Sequence, residues 1–198
     1  MKKFISIWLI SIFILIGCDQ SNSEKSNSIK EATLTNREVA ILDTVADKSF
    51  AFDYQSSGYK EAAVWLEKYE SGELVDDKIT WMMGSIEESG TILFTTTKRA
   101  DGEPTSSYYI GILSDSGSIS GKGSEDFPDG IPNMMSTWGS LSEKTITDSE
   151  IVLAAICYSD NEYGMSGLTT SFFEDPASHM SDLKEYDVAY LLKAKFRK

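Results

Sequence analysis

The run YDVAYLLKAKF, residues 186–196, alternates with a period of two. Val188, Tyr190, Leu192, Ala194 and Phe196 share one side, while Asp187, Lys193 and Lys195, followed by Arg197, share the other. A strand with one apolar and one wet face belongs to a sheet that packs on a core from one side. Shorter apolar, β-prone runs recur upstream near 50–55, 62–70, 78–83, 91–97, 107–113, 118–123, 141–147, 151–158 and 165–172. Turn signals separate them. Ser71-Gly72, Ser89-Gly90, Asp101-Gly102 and Ser116-Gly117 mark hairpins, residues 126–132 form a longer loop, and the polar stretch 174–182 reads as another loop. Many short strands with little helix between them predict a mainly β chain, an antiparallel β-sandwich or barrel-like domain, over a parallel α/β sheet. One short N-terminal helix is expected. Thr35-Asn36-Arg37-Glu38 fits a capping box ahead of Val39, Ala40, Ile41 and Leu42, which starts a helix running to about Ala46, with a strand as the alternative there.

A chain of 198 residues has room for one such domain plus export and tether segments. Its formal net charge is −13, and its one compact basic group is Lys193, Lys195, Arg197 and Lys198 at the end. Phosphate backbones are held by clustered Lys and Arg, so nucleic acid is excluded as a partner. Anionic lipid likewise repels an acidic body within a Debye length.

The first 18 residues run from Lys2 and Lys3 through an apolar stretch, Phe4 to Ile16, to Gly17 and Cys18. That is the anatomy of an export signal, and the stretch is shorter than the ~20 residues a membrane-spanning helix needs. Leu15-Ile16-Gly17-Cys18 resembles the lipobox of bacterial prolipoproteins. The resemblance covers this segment alone. It implies that the Cys18 thiol receives a diacylglyceryl group, that the signal is cut before Cys18, and that the new amino group is often acylated as well. It also implies a lipid-anchored protein on the extracytoplasmic face of the cell membrane, bearing palmitate-like chains. In double-membrane bacteria, Asp19 directly after the cysteine resembles the signal for retention at the inner membrane. Loss of residues 1–17 would remove Lys2 and Lys3 and take the charge from −13 to −15.

The following stretch, DQSNSEKSNSIKEAT, is nearly empty of apolar residues and predicts a flexible leash with a typical reach of ~20 Å. The expected organisation is therefore a signal peptide over 1–17, a lipidated cysteine and tether over 18–34, and one globular domain over 35–198. With Cys18 acylated, Cys157 has no disulfide partner and the body depends on core burial.

Within the body, each chemical signal competes with a plain structural reading. His179 is the single histidine and reads as a surface residue. Cys157 follows Val152-Leu153-Ala154-Ala155-Ile156, an apolar setting that suits an inert core thiol better than a nucleophile. Met82-Met83, Met134-Met135 and His179-Met180 offer soft copper(I) ligands, but neighbours on a strand point to opposite faces. Asp76-Asp77, Glu125-Asp126 with Asp129, and Asp160 with Glu162 match no calcium-loop spacing and read as solvated loops, with weak calcium binding as the alternative for the last two. The glycines at 117, 121 and 123 miss phosphate-loop spacing. Trp65, Trp81, Trp138, Tyr108 and Tyr109 divide between core packing and a stacking platform for wall sugars.

No motif assembles a catalytic set, and none calls for a cofactor or a metal. The expected function is a non-enzymatic binding or interaction module of the cell envelope, its partner an envelope protein, a wall polymer or a small ligand. The alternative is an envelope hydrolase using paired carboxylates, Glu67 with Glu70 or the acids of 125–129. The anchor has a direct test. Cys18→Ser should abolish incorporation of labelled fatty acid and leave an uncleaved or soluble species. Unchanged labelling of the mutant would end the anchor reading.

Overall fold

A computed structural model describes residues 27–98, 105–126 and 134–198. Strand β1 (Ser28–Glu31) leads through α1 (Asn36–Val45) into β2 (Ala46–Gln55), then β3 (Glu61–Glu70), β4 (Glu73–Ser85), β5 (Ser89–Thr97), β6 (Thr105–Ser114) and β7 (Gly117–Asp126). Strands β8 (Met135–Ser140), β9 (Glu143–Thr145) and β10 (Ile151–Ser159) follow. Two short helices, α2 (Thr170–Glu174) and α3 (Pro176–His179), and a 3-10 turn (Met180–Glu185) precede β11 (Val188–Arg197). The strands form a six-stranded sheet, β7-β6-β5-β2-β1-β9, and a five-stranded sheet, β4-β3-β11-β10-β8, with antiparallel pairing throughout. The fold is the expected mainly β sandwich, and the sheets do not close into a barrel.

Strand β11 sits at the centre of the second sheet, between β3 and β10. Its apolar side faces the first sheet, where Tyr190 meets Tyr108 at 5.5 Å between ring centroids and Phe196 meets Tyr54 at 5.5 Å. Aromatic contacts continue across the sandwich from Phe50 to Phe94 to Tyr108 to Tyr190 to Tyr158, each 5.5–6.4 Å from the next. The side expected to be wet is largely covered over its first half, where Ala189 and Leu191 are buried. The helical excursion from α2 to the 3-10 turn lies there, with Phe172, Phe173 and Leu183 buried. Lys144 clamps that excursion by donating to the carbonyls of Phe173 and Glu174, at 3.2 and 2.7 Å.

Three expectations are corrected. Residues 165–172 form no strand: Phe172 and Phe173 are adjacent and both buried, which a helical turn allows and an edge strand does not. Residues 174–182 are helical, not a loop, with Pro176 fitting the first position of α3. Ser89-Gly90 makes no hairpin, because β4 and β5 lie in different sheets. Gly90 instead lets Tyr54 pack in the space a side chain there would fill. In addition, β1 falls inside the stretch read as tether: Ile29 is fully buried and pairs across Tyr54 and Lys144, so the folded body starts at least seven residues before 35.

Other local signals match. The capping box at α1 has both of its bonds, Glu38 N–H to Thr35 Oγ1 at 3.3 Å and Thr35 N–H to Glu38 Oε2 at 2.7 Å. Ser71 and Gly72 both take positive φ, 48° and 82°, as the two-residue turn between β3 and β4 requires.

The two edges β4 and β7 approach closely without pairing. A Cβ on Gly123 would lie 2.5 Å from the Ile79 carbonyl oxygen and 2.6 Å from Thr80 Cβ. Gly123→Ala should therefore push these edges apart and destabilise the fold by about 1–3 kcal/mol. Urea unfolding would register this, and a midpoint equal to that of the parent protein would refute the close approach.

Candidate functional site

One concave feature of the described surface lies between α1 and the outer face of the six-stranded sheet. Alternation on β2, β5 and β6 sends Phe52, Ile92 and Ile112 into the core, so Ala51, Leu93 and Leu113 face outward. Ala32, Leu34, Ile41 and Leu42 close over them and enclose a groove of about 370 Å³. No residue of α1 is buried, and Ile41 is 55% exposed. The helix thus stands off the sheet instead of packing on it. Thr33, Glu38, Asp53 and Thr91 supply the groove's polar atoms, and no Lys, Arg or His lines it.

Those acids are already engaged. Hydrogen bonds from Thr35 hold the Glu38 carboxyl below its ordinary range. Asp53 accepts from the Thr91 hydroxyl at 2.7 Å. A second hollow of about 420 Å³ adjoins the groove through Asp53 and Thr91, and Ser28, Lys30, Gln55 and Ser89 line its other end. The site is concave, mainly apolar and sparsely polar, which is the make-up of pockets for apolar ligands.

The carboxylates considered for hydrolysis do not pair. Glu67 and Glu70 lie three apart on β3 and take opposite faces. Glu67, on the outer face, receives the Trp65 indole N–H at 2.9 Å, the Tyr69 hydroxyl at 2.6 Å and the Lys193 ammonium at 2.8 Å. Glu70, on the core side, pairs with Lys68 at 3.1 Å. Glu125 turns inward from β7, accepts from Tyr108 at 3.0 Å and from Tyr190, and lies 3.4 Å from Lys68. Asp126 accepts from Thr105 at 2.9 Å, and Asp129 is outside the described residues. Each buried carboxylate is matched by a cation and by donors, an arrangement that holds structure together.

The remaining candidates scatter. His179 sits half exposed on α3, 3.2 Å from Asp182. Cys157 lies in the core, where burial pushes its thiol up to about 12. Met82 is buried and Met83 exposed, on opposite faces. Among the described residues no three His, Cys, Asp or Glu side chains are grouped to hold a metal. Trp65 and Trp81 pair across β3 and β4, the first buried and the second half exposed. Tyr108 is in the core, Tyr109 is exposed near Lys122, and Trp138 carries the Lys48 ammonium 4.3 Å from its ring centroid. Cys18 and the rest of residues 1–26 lie outside the described residues.

The profile of the YgaN domain family matches residues 28–196, from the first residue of β1 to the last buried residue of β11. The chain belongs to the YgaN domain family. No curated protein and no solved structure matches it. The YgaN domain of this chain therefore contains both sheets, the helical cover and the whole groove, and β1 belongs to the domain.

Among features of the YgaN domain that the sequence reading did not reach, the groove is foremost. Its one sequence signal is that Val39, Ile41 and Leu42 are apolar on a capped helix, which marks a helix without saying what it faces. The tyrosines yield a pH prediction. Burial raises the hydroxyls of Tyr69, Tyr108 and Tyr190, reinforced by Glu67 at the first and by Glu125 at the other two. The unfolded chain loses these protons near pH ~10 while the folded one keeps them, so stability is full below that pH and falls as pH rises above it. Urea midpoints should be level between pH 8 and 9 and drop by pH 11. A level profile to pH 11 would contradict the assignment.

Proposed function

We propose that this protein is an exported lipoprotein held at the membrane through Cys18, and that its domain is a non-enzymatic binding module whose ligand element is the groove beneath α1. The groove is the observation that carries this reading. An apolar floor and an apolar lid face each other with space between them, and water in that space gains little from either wall. Filling it with an apolar group removes both surfaces from water at once, which is favourable in proportion to the area covered. The lining has no cation to hold a phosphate or carboxylate, and its two acids disfavour an anion. The preferred ligand is therefore apolar and uncharged where it enters.

Binding here needs no catalytic group. Asp53 and Glu38 are satisfied by Thr91 and Thr35, and the buried Glu67 and part-buried Glu125 lie elsewhere, compensated by Lys193 and Lys68. The export and anchor reading is supported by the Lys2-Lys3 start, the apolar run and the Leu15-Ile16-Gly17-Cys18 motif.

The groove can be tested on the Cys18→Ser chain with N-phenyl-1-naphthylamine, a neutral apolar fluorophore. Binding should occur at one site per chain and weaken roughly tenfold in Ile41→Glu, whose side chain is exposed and whose change leaves the core intact. Equal affinity in the two proteins would remove the groove as the ligand element.

A further inference from the structure

We infer that the groove beneath α1 receives one acyl chain of the lipid carried by Cys18 of the same molecule. The inference rests on the lipoprotein reading above and names the occupant of the site. Three observations converge on it.

The first is where the leash enters the fold. Residue 28 begins β1, and Ser28 and Lys30 line one end of the hollow that runs on, through Asp53 and Thr91, into the groove. The chain arriving from Cys18 therefore reaches the domain on the face that carries the groove. The second is reach. Nine residues separate Cys18 from Ser28, and the ten steps between them span at most about 35 Å, or about 17 Å for a chain of coil dimensions. A tether of this length gives its cargo an effective concentration in the millimolar range at sites within its radius. The third is charge. The lipid implied by the lipobox is a diacylglyceryl thioether, whose ester-linked chains are uncharged. Free fatty acids and anionic phospholipids bring a negative group toward Glu38 and Asp53 in the groove, whose own lining has no cation, Lys30 standing at the far end of the adjoining hollow. The neutral chain on Cys18 fits the apolar walls formed by Leu34, Ile41, Leu42 and Leu93 without that conflict.

The bilayer and the groove then compete for the same chain. With one chain docked, the remaining chain or chains still hold the membrane, but less tightly, and the acidic body is drawn toward the point of attachment.

Feeding cells that express the full chain a diazirine-bearing fatty acid, irradiating them and mapping the adducts by mass spectrometry tests this. Labelled Cys18 should form intramolecular adducts to residues 32–42 and to Thr91, Leu93 and Leu113, and Ile41→Glu should lower their yield at least fivefold with Cys18 labelling unchanged. Leu93→Glu serves as a second variant, with its melting curve confirming the fold. Labelled Cys18 whose chain reacts only with lipid or with other surfaces overturns the docking and leaves the anchor intact. Groove adducts that persist in Cys18→Ser show that the chain comes from free lipid and overturn the assignment of source. An unlabelled Cys18 removes the anchor, and the docking with it.

Discussion

The Glu125 carboxylate ties the sandwich together. It projects inward from an edge strand of one sheet, takes hydrogen bonds from Tyr108 of its own sheet and Tyr190 of the other, and lies beside Lys68 of β3. A charge in that position is costly unless every partner is present, so only one relative placement of the sheets satisfies it. The apolar contacts around it tolerate small slides and repacking, whereas a carboxylate with three partners does not. The aromatic row from Phe50 to Tyr158 passes through two of those partners and extends the same registration across the core. Glu67 plays a comparable part on the outer face, tying β3 to β11 through Lys193.

The legible part of the fold was the part governed by alternation and local caps. The apolar side of β11, the turn at Ser71-Gly72 and the Thr35–Glu38 box follow from rules that act within a few residues, and the structure contains all three. What escaped depends on contacts distant in sequence. Nothing in SIKE marks a strand by itself; Ser28–Glu31 becomes one because β2 and β9 offer it partners on both sides. Residues 165–172 look β-prone, but the exposed backs of β10 and β11 needed covering, and adjacent Phe172 and Phe173 could cover them only from a helical turn. The site was harder still. Glu67 and Glu70 are near in sequence and separated by the strand itself, whereas Glu125 and Lys68 are 57 positions apart and meet.

The groove arises where two rules conflict. The capping box starts α1 as a helix, yet its apolar residues are too few, and set too far from the sheet, to bury any of them. A helix so poorly packed would ordinarily fray. It persists because its ends are fastened: Ala32 N–H bonds the Ala51 carbonyl before the helix, Lys98 donates to the Asp43 carbonyl near its end, and the capping box holds the first turn. Fastening at the ends without packing in the middle leaves a space, and the outward residues of the sheet make that space apolar.

Helix α1 passes into β2 with no residue between them, Val45 closing one element and Ala46 opening the next. A lid on a loop could swing wide at little cost, but this one is an extension of a strand that pairs with β5 from Ala46 onward and with β1 as well over Phe52–Gln55. Any tilt of the helix must twist that strand against its neighbours. The opening beneath it is thus gauged by the sheet: the first residues of that strand cannot turn without straining their pairing with β5.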